Sequence, residues 1–283
     1  MKRYGSFPAS ISPIKDAIDF WLTRFPRAYL YFDRFRDWIN WDKRLYLSLI
    51  EPGSVVLDIG ANIGTHTVMF SHLVGKSGRV LSFEPVPASF ERLVENLEKR
   101  SRFANVTTFQ LAVGNPASNR EEAVMRIPGD DLTQASLRIQ IGDAWGNRSD
   151  PREYTCSLTS IDAQLSEAPT SHLEFVKIDV EGGELDALKG AERTLLRHHP
   201  LVYCEVYEKW TSAFGYTPAQ LFAFVGSLGY VGARVIREGE VHPLVLGDYK
   251  SGLFDVSSNV LFFADKHAQL MDSFDKRFNV GAS

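Results

Sequence analysis

The sequence has little cysteine, no strong excess of charge of one sign and no long hydrophobic run. Its 283 residues include two cysteines, Cys156 and Cys204, and each lies in an apolar, strand-like stretch. Two cysteines do not make a disulfide framework, so we expect buried, reduced thiols. The formal net charge of −4 gives no electrostatic reason to expect a nucleic acid as the partner.

Membrane and export signals are also missing from the sequence. No segment approaches the roughly 18 consecutive apolar residues of a membrane span. The N-terminal stretch MKRYGSFPASISPIKDAIDF lacks the apolar core and the cleavage site of a secretory signal. We therefore expect a cytoplasmic protein, long enough for one large domain with an elaborate terminal segment.

Residues 1–50 are dense in aromatic and basic side chains, from Phe20 and Trp21 to Trp38 and Trp41. Helix-start patterns predict a helical N-terminal cover, whose aromatic side chains pack on the main core. A lid over the substrate, a dimer surface and a peripheral membrane contact are the alternatives, since tryptophan with arginine suits an interface. The sequence does not predict an oligomeric state.

From residue 51 to 283, short apolar runs alternate with helical patterns at 65–74, 88–99 and 184–197. The runs are SVVLDIG, RVLSFEP, NVTTFQLAV, LEFVKIDVEG and PLVYCEVY. This alternation predicts an α/β domain with a doubly wound, mostly parallel sheet. The closing runs YVGARVI and NVLFFA have no helix between them and predict an antiparallel C-terminal edge.

Residues 115–153 interrupt this alternation with EEAVMRI and then a long stretch rich in glycine, aspartate, asparagine and serine. We expect an inserted hairpin and loop between the third and fourth core strands. Long loops within compact domains are often functional. The insertion and the N-terminal cover are therefore the expected walls of a substrate site.

The turn after the first strand carries Asp58, Gly60, Asn62 and Gly64. A nicotinamide dinucleotide turn has the pattern G-x-G-x-x-G, and GANIG does not match it, which argues against an oxidoreductase of that class. Gly60 lets the backbone approach a ligand closely. Asp58 can accept a hydrogen bond from an ammonium group, so the turn suits a ligand with an amine and a carboxylate.

Further carboxylates follow at or near the predicted strand ends. Glu84 lies twenty residues after Gly64, the separation at which doubly wound folds place an acidic residue on ribose hydroxyls. Asp179 and Glu181 leave the carboxyl end of the fourth strand, where such sheets bind ligands. Glu205 follows in the fifth strand. Glu184 sits in a first helical turn, and we expect it to stabilise the helix terminus.

Together, VVLDIGANIGTHT, VLSFEPVPASFERLVENL, LAVG, SLTSIDAQL and FVKIDVEGGELDALKGA resemble the FkbM-type S-adenosylmethionine-dependent methyltransferases. The resemblance covers roughly residues 55–205 and implies a Rossmann-like class I fold. It implies that the methionine end of S-adenosylmethionine lies on the turn, its ribose on Glu84 and its adenine beside Ala112. The implied cofactor residues are Asp58, Gly60, Asn62, Gly64, His66, Glu84, Ala112 and Asp179. His66 serves equally well as a helix cap.

Family members are mostly O-methyltransferases, which favours a hydroxyl of a sugar, glycan or natural product as the acceptor. A hydroxyl is a poor nucleophile and needs a base; Glu181 is the first candidate, before Glu205 and Asp179. The same three carboxylates could instead bind Mg²⁺. The alternatives are an N-methyltransferase of a small molecule or peptide and a non-catalytic module that only binds the cofactor. A nucleic-acid methyltransferase is disfavoured because the composition lacks a basic excess.

Overall fold

The structure is a computed structural model that describes residues 25, 41–115, 121–128, 135–138, 151–167, 170, 172–237, 240–249, 252–278 and 280. Most of the expected N-terminal cover (1–24 and 26–40) lies outside the described residues, as do 116–120, 129–134 and 139–150 of the expected insertion. The helices are α1 (Trp41–Leu49), α2 (Thr65–Val74), α3 (Pro87–Arg100), α4 (Ile161–Glu167), α5 (Glu184–Lys189), α6 (Glu192–His198), α7 (Glu208–Ala213), α8 (Pro218–Ser227) and α9 (Ala268–Phe278).

The strands form one large sheet and one small sheet. They are β1 (Val55–Ile59), β2 (Arg79–Phe83), β3 (Val106–Phe109), β4 (Ala112–Val113), β5 (Glu122–Ile127), β6 (Arg152–Thr159), β7 (Phe175–Ile178), β8 (Leu201–Val206), β9 (Tyr230–Arg237), β10 (Glu240–Leu244) and β11 (Ser258–Ala264). The large sheet has the order β3-β2-β1-β7-β8-β11-β9-β10, and β4-β6-β5 form the small one.

The large sheet is parallel from β3 to β8 and antiparallel beyond β8. This confirms the prediction of a doubly wound, mostly parallel sheet with an antiparallel C-terminal edge. The outermost strand differs from the expectation, because β11 inserts between β8 and β9. The edge is instead β10, which pairs with β9 and was not among the predicted strands.

Alternate residues of the central strands belong to two hydrophobic clusters, as expected when helices cover both faces of a sheet. In β1, Leu57 and Ile59 pack in the cluster that contains α5, α6 and α8. Val56 packs in the other cluster, with side chains of α1, α2 and α9. The core therefore lies in two layers, and the strand ends remain at the edge between them.

Helix α1 belongs to the second of these layers. Tyr46 is fully buried, and its ring meets those of Phe70, Phe175 and Tyr203 edge-on, with centroids 4.8, 5.7 and 5.5 Å away. Such aromatic contacts add to the free energy gained from burial alone. The described end of the N-terminal segment thus packs on the sheet. The division at residue 50 into a cover and a catalytic domain stays a prediction.

Two elements predicted as continuous are divided in the structure. The run NVTTFQLAV forms β3 in the large sheet and β4 in the small one, where β4 pairs with β6. The helix expected over 184–197 breaks into α5 and α6 at Gly190. A Cβ atom at Gly190 would lie 2.0 Å from the carbonyl oxygen of Gly114. The break therefore lies where the helix contacts the segment that leaves β4.

Cys156 and Cys204 are both buried and free, which confirms the expected state of the two thiols. Burial raises the pKa of Cys156 to about 11, so it stays a neutral thiol that behaves as a small apolar side chain.

None of the helices among the described residues has the length and apolar character required to cross a membrane.

Candidate active site

A cleft opens at the carboxyl ends of β1, β2 and β7. Open α/β sheets bind their ligands at this edge, at the point where the strand order reverses. Six of the residues singled out from the sequence line the cleft: Gly60, Asn62, Glu84, Ala112, Asp179 and Glu181. The fold therefore brings residues from four separate segments to one place.

Gly60 fixes how closely the first turn approaches β7. Its φ angle is +82°, and a Cβ atom there would lie 1.8 Å from the carbonyl oxygen of Asp179. Its backbone N–H donates to the carbonyl oxygen of Phe83 at 3.0 Å. Only glycine fits both the backbone angle and the contact. The turn is therefore locked between β2 and the segment that carries Asp179.

Glu84 is held by the backbone on both sides of its carboxylate. One oxygen accepts from the backbone N–H of Asn62 and the other from that of Val86, each at 2.8 Å. Burial raises the pKa of Glu84 to about 7, although these two hydrogen bonds favour the charged form. Each oxygen keeps a further lone pair, so the carboxylate can still accept from two vicinal hydroxyls.

Asn62 supplies an unsatisfied polar atom at the same turn. Its φ angle is +50°, a left-handed conformation that asparagine tolerates better than most residues. Its side-chain oxygen is buried, with no hydrogen-bond partner among the described residues. Buried polar atoms are almost always hydrogen-bonded. The atom therefore fits a site that a polar ligand completes.

A buried lysine connects the first turn to the fourth strand. Lys177 is 3% exposed, and its Nζ lies 3.0 Å from an oxygen of Asp179 and 3.8 Å from one of Asp58. Burial lowers the pKa of Lys177, but the two carboxylates more than offset this and leave it above its ordinary value. Thr67 donates to the second oxygen of Asp58 at 2.6 Å. The ammonium group therefore stays charged.

Asp179 and Glu205 are joined by a hydrogen bond between their carboxyl groups. Burial opposes the ionisation of Asp179, but Lys177 and the bond from Glu205 leave its pKa below the ordinary value. Burial and the charge of Asp179 raise the pKa of Glu205 well above its own. Ser257 also donates to Glu205. Asp179 is therefore the ionised member of the pair, and Glu205 holds the proton.

Glu181 completes the carboxyl cluster, in which each residue offers an oxygen within 4.8 Å of the others. Burial first, and then the charges of Asp179 and Glu205, raise the pKa of Glu181 to about 10. Its φ angle is +55°, a left-handed conformation that costs a non-glycine residue about 1–2 kcal/mol. Strain of this kind concentrates at functional sites.

Glu184 stabilises the turn that carries Glu181. One carboxylate oxygen accepts from the backbone N–H groups of Val180 and Gly182, at 3.2 and 3.0 Å. The other accepts from the hydroxyl of Tyr216 at 3.2 Å. Burial raises the pKa of Glu184 to about 7. These contacts agree with the expected helix-terminus role and show that it extends to the preceding turn.

Three predicted cofactor residues lie outside the lining of the cleft. Asp58 is fully buried beneath the turn, and Gly64, at φ +84°, packs its backbone against Leu93 of α3. His66 packs against Tyr46, with ring centroids 5.5 Å apart. Their predicted contact with a cofactor stays a prediction. The positions of Asp58 and Gly64 favour support of the turn from behind.

Sequence reasoning missed two residues that shape the site. Lys177 carried a visible signal, because a single charge within the apolar run LEFVKIDV needs a buried partner. Ser136 carried none: its hydroxyl donates to the carbonyl oxygen of Glu181 at 2.8 Å across 45 residues of sequence. Contacts of that kind depend on the path of the insertion, which no local pattern encodes.

The strand order, the antiparallel strand beyond β8 and the cleft at the strand ends define a Rossmann-like methyltransferase fold of class I. The chain belongs to the family described as the methyltransferase FkbM domain, whose family model matches residues 58–231. This confirms the family resemblance found in the sequence motifs.

Individual relatives are more distant. The hexuronic acid methyltransferase AglP of Haloferax volcanii is 30% identical over 152 residues, which cover 54% of this chain and 56% of that protein. The 2-O-methyltransferase NoeI of Sinorhizobium fredii is 27% identical over 164 residues, covering 54% and 64%. The chain thus spans between half and two thirds of the length of these two curated relatives.

A crystal structure of a methyltransferase FkbM from Methylobacillus flagellatus has a TM-score of 0.44 at 15% identity, covering 90% of this chain and 60% of that one.

Proposed function

We propose that the protein is an S-adenosylmethionine-dependent O-methyltransferase that acts on a hydroxyl of a sugar, a glycan or another natural product. One observation carries the proposal. The cleft joins a cradle suited to the cofactor, made by Gly60, Asn62 and Glu84, to a cluster of protonatable carboxyl groups at the same strand ends.

The residues of the cradle fit the chemical groups of the cofactor. Glu84 has two oxygens with free lone pairs for the ribose hydroxyls, and the side-chain oxygen of Asn62 lacks a partner among the described residues. Leu111, Ala112 and Val113 give the cleft an apolar wall suited to the adenine. When bound, S-adenosylmethionine supplies an electrophilic methyl group on a positively charged sulfur.

Glu181 is our candidate for the base that removes the proton from the acceptor hydroxyl. In the ligand-free protein its raised pKa keeps it protonated at neutral pH. A positive charge nearby favours the ionised form of a carboxyl group, so occupation of the cleft by a cation makes Glu181 available as a base. Asp179 stays paired with Lys177, and Glu205 holds its proton toward Asp179.

Mg²⁺ is the alternative ligand of this cluster. Three carboxylate oxygens within 4.8 Å of one another suit a hard cation. Lys177 and Ser257 already bind two of the three carboxyl groups, however. A metal ion would have to compete with these contacts, so we favour acid–base chemistry.

The names of two relatives support a sugar as the acceptor and, for one of them, an oxygen as the methylated atom. AglP is described as a hexuronic acid methyltransferase and NoeI as a 2-O-methyltransferase. N-methylation, cofactor binding without catalysis, a cytoplasmic location and a peripheral membrane contact through residues 1–50 remain untested predictions. None of them has a specific observation in its favour.

Isothermal titration calorimetry of the full chain with S-adenosylmethionine and S-adenosylhomocysteine, with and without Mg²⁺, tests the proposal. We expect micromolar binding of both compounds and no effect of Mg²⁺. Failure of both to bind would overturn the cofactor assignment. A magnesium-dependent gain in affinity would instead assign the carboxyl cluster to a metal.

Transfer of a labelled methyl group then tests the base. We expect Glu181→Gln to keep the affinity for S-adenosylhomocysteine and to slow transfer by about a hundredfold or more, as for loss of a general base. Glu192→Gln, an exposed carboxylate at the start of α6, is the matched control. Full activity of Glu181→Gln would exclude Glu181 as a base or as a metal ligand.

A further inference from the structure

A second, larger groove adjoins the cleft. Its volume is about 1,180 Å³, and its walls come from the small sheet, from α5 and from the end of α7. Leu137 lines both the groove and the cleft. The groove and the cleft therefore border each other at this residue.

The short segment 135–138 is fixed at this junction. Ser136 exchanges two backbone hydrogen bonds with Arg126 of β5, at 2.7 and 2.9 Å. Its hydroxyl donates to the carbonyl oxygen of Glu181 at 2.8 Å. The segment thus connects the small sheet to the turn of Glu181, and it carries Arg138 into the groove.

Arg138 and Arg126 both line the groove but differ in their partners. Arg126 pairs with Glu153 at 2.9 Å and donates to the carbonyl oxygen of Leu137 at 3.1 Å. Arg138 is exposed and forms no ion pair within the part of the chain that the structure describes. Its guanidinium carbon lies 5.7 Å from the centre of the Phe214 ring. That cation–π contact orients the group and leaves its N–H donors available.

Phe214 places this guanidinium next to the turn of Glu181. A Cβ atom at Gly182 would lie 2.8 Å from the ring of Phe214, so the ring packs directly on the glycine that follows Glu181. Arg138 therefore lies against the ring that packs on the turn of Glu181. The groove also presents the carboxylates of Glu122 and Asp186.

This set of side chains suits a sugar that carries a negative charge. A guanidinium binds a carboxylate or a phosphate through paired N–H donors. Carboxylates accept hydrogen bonds from sugar hydroxyls but repel a bare anion. A ligand with both an anionic group and hydroxyls satisfies both kinds of side chain, whereas a neutral sugar or an inorganic ion satisfies only one kind.

We propose that this groove binds the methyl acceptor and that Arg138 selects acceptor sugars that bear a carboxylate or a phosphate. The inference deepens the proposed function and rests on it. It assigns substrate specificity to the segment 135–138 and to Phe214, neither of which belongs to the cofactor cradle.

The rate at which phenylglyoxal modifies Arg138 tests the proposal without a known acceptor, because a bound ligand protects the side chain from the reagent. The full chain, with S-adenosylhomocysteine, is labelled in the presence of methyl β-D-glucuronide, glucose 6-phosphate, methyl β-D-glucoside or sodium sulfate, and peptides are quantified by mass spectrometry. Arg102 is the matched control, because it is also exposed and lies 5.6 Å over the ring of Phe103, far from the groove lining.

We expect a saturating anionic sugar to slow the labelling of Arg138 by about fivefold or more, as mass action requires for a bound ligand. The neutral glucoside and sulfate should not do so, and Arg102 should react equally in all samples. Protection by the glucuronide alone or by the phosphate alone identifies which anionic group is selected.

Absence of protection by both anionic sugars, or equal protection by sulfate, would overturn the inference. Binding of S-adenosylhomocysteine in the same samples separates this failure from failure of the proposed function. Where one of the anionic sugars is methylated, Arg138→Gln should lower kcat/KM for it about tenfold and leave S-adenosylhomocysteine affinity unchanged. Arg102→Gln should change neither quantity, and an unaffected Arg138→Gln would also contradict the inference.

Discussion

At the scale of single residues, the site depends on side chains that carry out two tasks at once. Glu84 holds the backbone of the first turn through Asn62 and the backbone after β2 through Val86. The same two oxygens are the expected partners of a ribose. A change at Glu84 should therefore affect ligand binding both directly and through the shape of the turn.

Glu84→Gln should weaken S-adenosylhomocysteine binding by about 2 kcal/mol, which is roughly thirtyfold, because the amide keeps only one of the two oxygens that are expected to bind the ribose. The amide NH₂, a donor, would also face one of the two backbone N–H groups that now donate to the carboxylate. Calorimetry measures the affinity, and circular dichroism checks that the variant is folded. Glu95→Gln, on the exposed face of α3, is the control. A folded Glu84→Gln variant with unchanged affinity would remove Glu84 from the ribose site.

The sequence predicted residues whose role follows from spacing along the chain. The separation of Glu84 from Gly64 predicted a residue that the structure places at the cleft, and its ribose contact stays a prediction; the position of Glu184 in a first helical turn predicted its support of that helix end. The side-chain partners were not found. Whether Lys177 pairs with Asp58, Asp179 or both depends on the register of β1 against β7, which is a property of the folded sheet.

At the scale of secondary-structure elements, the site exists because β1 and β7 end at the same edge. The turn after β1 approaches the carbonyl oxygen of Asp179 so closely that it has no room for a side chain at Gly60. Adjacent parallel strands alone do not require this contact. It sets the distance between the first turn and the carboxyl cluster.

Gly60→Ala should therefore cost far more stability than an alanine at another left-handed glycine. At Gly60, φ is +82° and the new Cβ would lie 1.8 Å from an oxygen; at Gly215, φ is +79° and no atom lies within 4 Å. We expect Gly215→Ala to lower the free energy of unfolding by about 1–2 kcal/mol, and Gly60→Ala by more than about 4 kcal/mol. Urea unfolding measures both. Equal costs would show that the close approach at Gly60 does not constrain the fold.

At the scale of the whole molecule, the alternation of apolar runs and helical patterns was enough to predict the large sheet. Periodicity records which faces are buried, and burial on both faces indicates a parallel sheet covered by helices. The insertion was harder to predict. The short strand β4 leaves the line of β3 to pair with β6, a long-range contact that the run NVTTFQLAV does not reveal.

Buried carboxyl groups at the strand ends also tie the stability of the whole ligand-free molecule to pH. Burial raises the pKa of Glu184 from its ordinary 4.5 to about 7, and that of Glu84 shifts to about 7 as well. Between the ordinary pKa of 4.5 and the raised pKa of about 7, the folded protein binds more protons than the unfolded chain. The contribution of each group to stability is therefore complete below pH 4.5 and is lost as the pH rises through about 7.

Glu184→Gln removes one of these two titrations, because glutamine imitates the protonated acid. We expect the free energy of unfolding of the variant, relative to the parent protein, to increase as the pH rises from about 5 to about 7, by at most about 1.4 kcal/mol per pH unit. Urea unfolding at several pH values measures this difference. Glu192→Gln, an exposed carboxylate in the first turn of the next helix, should give a difference that is constant with pH. A constant difference for Glu184→Gln would mean that Glu184 is ionised in the folded protein throughout this range, and that the hydrogen bonds from Val180, Gly182 and Tyr216 outweigh its burial.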